Sequence, residues 1–355
     1  MGLIEKTITR IQPQSTKYRQ QATDHILDLA IPRWSLGRVF DLAVDLCGIT
    51  HSLKPPVARK HIVVMSGDHG IVADGVSEQP QDVTKLVTEN FTKGKGSICI
   101  LAEHAGADLT VVDMGINGDV SHLTDTGALV DKKVAHGTAS FAQGPAMTRE
   151  QARAAVEAGI EIAERLASDT DVFGIGEMGI GNTSSSSAIV AVMAGIDNIE
   201  EVVDRGAGLP DEKLHLKANA IKRGIKINKP DPTDALDVLS KVGGFEIGGL
   251  AGLILGAAAN RKPIIVDGFI TTAAAVIAHG LCPESAEYMI QSHGSMERGH
   301  PHMLRLLDKK PLFYLDLRLG EGTGAALAMN LIDAAVKVMT RMTTFEESNI
   351  TEEGL

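Results

Sequence analysis

With 355 residues, 44% of them hydrophobic and only 3% aromatic, the chain can fill one large domain and a smaller one beside it. A net charge of −11 without any basic stripe excludes non-specific nucleic-acid binding, which needs clustered lysine and arginine to neutralise phosphates. Cys47, Cys99 and Cys282 are odd in number, far apart and without a C-x-x-C pair, which excludes a disulfide framework and a cysteine zinc site and points to a reducing cytoplasm. No secretory h-region follows Met1, and the longest apolar stretches, such as Ile247–Ala259, are too short for a membrane span and broken by glycine.

From the N-terminus, Asp24–Ala30 and Arg38–Leu46 carry apolar residues at helical spacing, with Pro32 breaking between them. Residues 1–48 are expected to join residues 325–355 as a small helical domain flanking a large α/β domain over 49–324. Six short apolar runs then follow: His61–Ser66, Leu109–Asp113, Val172–Ile175, Pro263–Asp267, Tyr288–Gln291 and Leu312–Leu317. Helical patterns alternate with them, for example Arg149–Ala167, Ile247–Asn260, Thr271–Gly280 and Ala325–Met342. Short apolar runs alternating with helices predict a doubly wound, Rossmann-like, mainly parallel six-stranded sheet. Residues 346–355 are polar and expected to fray.

The unusual residues gather where these runs end. The ends read Ser-Gly-Asp68-His69-Gly, Asp113-Met-Gly, Gly-Glu177-Met-Gly, Asp267-Gly-Phe, Ser292-His293-Gly-Ser and Gly-Glu321-Gly. In open α/β sheets that edge is where ligands bind. Glu321, held between glycines, is either a general base whose pKa is raised by a partly dry pocket or an acid that merely favours a helix N-terminus. The loop Gly174-Ile-Gly-Glu-Met-Gly-Ile-Gly-Asn-Thr-Ser-Ser-Ser-Ser187 joins glycines and small hydroxyls to a helix start, as an anion site does. It lacks the Gly-Lys-Ser/Thr of a P-loop. Gly174, Gly176 and Gly179 match the dinucleotide spacing, which keeps an NAD-linked oxidoreductase as a rival, although no convincing acid follows in Asp197–Asp204. His293, His300 and His302 have only Glu297 nearby and lack a ligand set, so a loop-fixing role is favoured over a metal. Asp68-His69 reads either as an acid–base pair or as a turn with a stabilising Asp.

Together these segments resemble the nicotinate-nucleotide:dimethylbenzimidazole phosphoribosyltransferase family, from about residue 60 to 343. The resemblance rests on Gly67-Asp-His-Gly70, Gly75-Val-Ser-Glu-Gln-Pro-Gln-Asp-Val-Thr84, Gly176-Glu-Met-Gly-Ile-Gly-Asn-Thr183, Gly244-Phe-Glu-Ile247, Asp267-Gly-Phe, Ser292-His-Gly-Ser-Met-Glu-Arg-Gly-His300 and Arg318-Leu-Gly-Glu-Gly-Thr-Gly324. It implies transfer of phosphoribose from nicotinate mononucleotide to an aromatic base, giving an α-riboside phosphate for the lower ligand of cobalamin and free nicotinate. It also implies a homodimer. Glu321 falls on the family's general base. Glu177 is expected near the ribose, and Gly176, Gly179, Ile180, Gly181, Asn182 and Thr183 around the phosphate and ribose. Lys217 is the best match to the family's phosphate lysine, with Lys213 second. Ser77, Lys85, Leu86 and Leu319 are expected to border the base. Lys85, Leu86 and Val87 stand where many members have Gln and Met.

The implied donor carries a pyridinium at its anomeric carbon and leaves as a neutral ring, so no acid is needed. The acceptor loses one N–H proton, so one base suffices. No Asp-Asp pair of the kind used with magnesium is present, and neither cofactor nor metal is expected. A catalytically idle nucleotide- or base-binding relative is the second rival, against which the presence of both Glu321 and Glu177 argues.

Overall fold

The computed structural model describes residues 1–348. Six strands form one sheet: β1 Lys60–Gly67, β2 Ala107–Gly115, β3 Val130–Asp131, β4 Val172–Met178, β5 Ile264–Val266 and β6 Met289–Gln291. Every pairing is parallel, in the order β3-β2-β1-β4-β5-β6. The chain leaves β1 towards β2 on one side and returns to β4 on the other, so the strand order reverses between β1 and β4. A crevice opens there at the C-terminal edge.

Alternation along the strands sends apolar side chains to both faces. Val63, Met65, Val112, Phe173, Ile175 and Val266 join one cluster with helices Arg149–Leu166, Phe245–Ala259 and Phe269–Leu281. Ile62, Val64, Val111, Val172 and Ile265 join a second with helices Arg38–Thr50 and Thr323–Arg341. On the first face a Cβ on Gly159 would lie 1.8 Å from the Gly249 carbonyl oxygen, and one on Gly252 1.9 Å from that of Val156. Those glycines let the Arg149–Leu166 and Phe245–Ala259 helices touch backbone to backbone. No helix among the described residues is long and apolar enough to cross a membrane.

The sixth strand is not the expected one. Leu312–Leu317 forms only a single parallel bridge, Phe313 to His293. Tyr314 and Leu315 are 73% and 58% exposed, and Asp316 takes a left-handed φ of 54°, which breaks the pleat. The segment is an extended strap along the end of β6: Leu312 donates to the Gln291 and Ser292 carbonyls, and Gly294 to that of Phe313. The strand that takes its place is β3, at one edge of the sheet, whose two residues are too short to show a period.

Helices Thr16–Asp28 and Arg38–Thr50 pack together, and the second also packs on Thr323–Arg341, with Leu29 bridging antiparallel to Thr344. Leu3–Ile8 lies on the opposite face, against Arg149–Leu166 and Phe245–Ala259. At the C-terminus, Phe345–Ser348 make a short helical turn. The rest of the tail expected to fray, 349–355, lies outside the described residues.

Candidate active site

A cavity of about 330 Å³ lies at the C-terminal edge of the sheet. Its walls come from the end of β4 and the helix after it (Glu177–Ile180, Asn182, Thr183), the end of β5 (Gly268–Ile270), the end of β6 (His293, Ser295, Glu297) and the turn Arg318–Glu321. Gln79, Val83 and Val87 close it from the segment after β1.

Two glycines of β4 seat the catalytic candidate. Gly174 and Gly176 point to the same face of the strand. A Cβ on Gly174 would press Met329 at 2.9 Å, and one on Gly176 would lie 2.2 Å from the Glu321 carbonyl oxygen. Neither glycine lies in the turn after the strand, where a dinucleotide fingerprint would need them. Their role is to let the Gly320–Gly322 turn rest on the sheet. Glu321 itself has φ 64°, between Gly320 at 84° and Gly322 at 93°, so three successive residues are left-handed. That turn aims the carboxyl at the cavity, where its Oε2 is buried with no hydrogen-bond partner. Burial pushes the carboxyl above its usual value, opposed by the Ile98 N–H.

Glu177 is a neighbour with a different task. Its Oε2 accepts from Asn182 Nδ2, and its Oε1 accepts the Glu321 N–H at 3.3 Å. Both oxygens are therefore engaged by protein. Burial pushes Glu177 up to about 8, helped by Asp267 and Glu246 and opposed by the Asn182 amide. Asp267, buried at the end of β5, accepts the N–H groups of Gly322, Gly324 and Ala325 at 3.0, 2.7 and 3.1 Å. Burial takes it up to about 7 against the pull of those donors.

On the opposite wall the helix Asn182–Met193 begins at the cavity, with Gly181 at φ 96° as its cap. Thr84 fixes the preceding loop by accepting the Ile180 N–H at 3.0 Å. Lys217 is fully buried and does not line the cavity. It donates to Thr183 Oγ1 at 2.8 Å and to the Asp204 carbonyl at 2.9 Å, and stands behind Gly206. Burial lowers its ammonium to about 8, with Glu297 and Asp204 pulling the other way. Lys213 is on the surface, paired with Glu78 at 2.5 Å.

The expected base-contacting residues are dispersed. Leu319 lines the cavity. Ser77 borders a side pocket of about 40 Å³ that shares Gly179, Ile180, Asn182, Thr183 and Ala207 with the main cavity. Gly181 lines that side pocket too. Leu86 is 56% exposed and Lys85 lies against Gly118. On the Val83–Thr92 helix it is Val83 and Val87, four residues apart, that face the cavity. Helical phase within this motif was the signal that could have picked them from the sequence.

Glu297 is an active-site acid that its sequence surroundings do not mark as one. Its Oε1 accepts the Gly206 N–H at 3.0 Å, while its buried Oε2 has no partner. His300 fixes the loop: Ser295 N–H donates to Nδ1, leaving Nε2 to face Thr272 Oγ1 at 3.1 Å, and burial lowers its pKa to about 3. His293 stacks on Phe313, and burial lowers it to about 4. His302 is partly exposed. Among the described residues, no three His, Cys, Asp or Glu side chains are arranged to hold a metal ion. Asp68 and His69 do not pair with each other. Asp68 accepts the Asn117 N–H at 2.7 Å, and His69 bonds Glu246 at 2.7 Å beneath the Gly179–Gly181 loop.

A phosphoribosyltransferase family model matches residues 11–350. A nicotinate-nucleotide–dimethylbenzimidazole phosphoribosyltransferase of Syntrophotalea carbinolica is 53% identical over 352 residues, spanning 99% of each chain. The chain belongs to the nicotinate-nucleotide–dimethylbenzimidazole phosphoribosyltransferase family. A relative of the same name from Desulfotalea psychrophila is 48% identical over 352 residues, again spanning 99% of each chain. The crystal structure of the family member from Thermus thermophilus superposes with a TM-score of 0.89 at 37% identity, covering 95% of this chain and 99% of that one. Membership of this family removes the support for an oxidoreductase, in line with the place of Gly174 and Gly176 inside β4.

Proposed function

We propose that this protein transfers phosphoribose from nicotinate mononucleotide to a benzimidazole-type base, giving α-ribazole phosphate and nicotinate for the lower ligand of cobalamin. The observation that carries the reading is Glu321: a carboxylate with an unpartnered oxygen in a cavity at the strand-order reversal, set beside the apolar wall, whereas Glu297, the other cavity acid with an unpartnered oxygen, is tied to the Gly206 loop. As one ring nitrogen of the base attacks the anomeric carbon, the glycosidic bond to the pyridinium breaks and its electron pair leaves with nicotinate, whose ring nitrogen is thereby neutral. The other ring N–H becomes acidic and passes its proton to Glu321. A raised pKa suits a base that must take this proton near neutral pH. Glu177 supports the site by holding Asn182 and the Glu321 turn, and an oxocarbenium-like centre close by would draw its own pKa down. Mass spectrometry of products from nicotinate mononucleotide and a panel of benzimidazoles tests the reaction; absence of any α-riboside phosphate would overturn it.

The Gly179–Thr183 loop and Lys217 make up the phosphate end, with the lysine acting through Thr183 and the Gly206 loop. Lys217→Ala is expected to raise KM for the nucleotide more than for the base, and Lys213→Ala, which breaks only a surface pair, to change neither. Initial-rate kinetics with each substrate varied would decide, and equal effects on both substrates count against Lys217.

Val83, Val87, Met178 and Leu319 form the apolar wall near Glu321 and receive the base. Such a wall separates ligands differing by a methyl by only about 1–3 kcal/mol. Benzimidazole and its dimethyl form are therefore expected to compete on similar terms. A preference above about a thousandfold in a competition assay would exceed that methyl term and sink the idea of a permissive pocket.

The enzyme works as a cytoplasmic homodimer in this reading. Exposed Met296, Tyr314 and Leu315, on the strap and the loop hydrogen-bonded to it, offer an apolar surface for a second copy. The free cysteines support a reducing compartment.

A further inference from the structure

The Thr323–Arg341 helix starts without a cap of its own. Its N-cap residue is Gly322, which has no side chain to offer. An acid next to a helix N-terminus ordinarily folds back onto the free N–H groups, where it is held ionised and at low pKa. Glu321 is placed to do that, yet its Oε2 is unpartnered, and the backbone donor that acts on its carboxyl is the Ile98 N–H of a different helix, Ser97–Ala105. The donors are already taken. Asp267 reaches across from the end of β5, its Oδ2 accepting from Gly322 and its Oδ1 from Gly324 and Ala325.

Asp267 is fully buried and has no place in the cavity wall; its neighbour Gly268 has. It acts on the reaction only through what it holds. The groups facing it are His293, whose Nδ1 is 3.7 Å from Oδ1, and the carboxyls of Glu177 and Glu321, of which the first holds the other end of the same turn through the Glu321 N–H. His293 leaves no space for anything larger than glycine at 324, since a Cβ there would lie 2.1 Å from Nδ1.

We infer that Asp267 is a positioning residue that occupies the N-terminal donors of the Thr323–Arg341 helix and so keeps the Glu321 carboxylate off that helix end and at the cavity. This rests on Glu321 being the base. Without Asp267 the Glu321 side chain turns back to cap its own helix, and the cavity loses its proton acceptor while keeping the nucleotide-binding wall.

A double-mutant cycle with Asp267→Asn and Glu321→Gln tests this. Asp267→Asn alone is expected to lower kcat by about 10²-fold with the nucleotide KM within about threefold. In the Glu321→Gln background the same change is expected to cost less than about threefold more, because its effect passes through Glu321. An equal loss in both backgrounds, or wild-type turnover in the single variant, overturns the inference. Should Asp267→Asn fail to fold, amide exchange in the wild type decides: the Gly322 and Gly324 N–H groups are expected to exchange at least about 10²-fold slower than that of Gly320. Equal rates overturn the inference. Wild-type turnover in Glu321→Gln would instead overturn the assignment of the base, a separate result.

Discussion

Glu321→Gln is expected to lower kcat by about 10²-fold or more while nucleotide binding stays nearly unchanged. The amide has the shape of the carboxyl and inherits its seat on Gly176, but it cannot accept the proton released by the attacking base. The pH dependence gives a second check. Burial raises the Glu321 pKa above 4.5, and a general base works only when deprotonated, so wild-type kcat should fall as pH drops through that raised value. The variant should lose this acid limb. Stability should move the other way. The folded carboxyl holds its proton more tightly than the unfolded one, so ionisation costs the wild type stability as pH rises past 4.5. At neutral pH the variant should therefore melt no lower than the wild type. Wild-type turnover in steady-state assays would mean that Glu321 is not the base.

Gly176→Ala is expected to be nearly as damaging without touching any reacting group. Its methyl would lie 2.2 Å from the Glu321 carbonyl oxygen, 2.5 Å from that carbonyl carbon and 2.7 Å from the Gly322 nitrogen, all backbone atoms. The turn must lift off the sheet by an ångström or more. A shift of that size at a reacting group costs on the order of 10²-fold in rate. The stability penalty should be modest, about 1–3 kcal/mol as for other overpacked interiors. Thermal unfolding and kcat measured on the same preparation separate the two effects. Equal activity in the variant would show that the seat beneath Glu321 is not tight.

Glycine spacing within one strand is a local pattern with a distant cause. Gly174, Gly176 and Gly179 fit a phosphate-binding spacing, but the strand runs on to Met178, so Gly174 and Gly176 are inside the sheet. What they accommodate is the Gly320–Gly322 turn, far along the chain, and no local pattern states that. Leu312–Leu317 misled for the opposite reason. Its apolar run is real, but Tyr314 and Leu315 face outward, and exposure of this kind is not written in hydrophobicity alone. The departure from the motif covers Lys85, Leu86 and Val87 alike, whereas helical phase turns only Val87 of the three, together with Val83, towards the cavity.

The sequence by itself determined the alternation of short buried strands with helices, and hence a parallel doubly wound sheet with its chemistry at one edge. It also determined the acids at the strand ends and the family, because long motifs in fixed order survive without knowledge of their contacts. Only the tertiary structure decided what each acid does. Glu177, Asp267, Glu297 and Glu321 are alike in sequence, each a carboxyl close to glycine. In space Glu177 has both oxygens engaged, Asp267 caps a distant helix that begins at Thr323, and Glu297 and Glu321 keep one oxygen free. Which carboxylate can take a proton depends on which donors its neighbours have already occupied, and those donors arrive from strands and helices far apart along the chain.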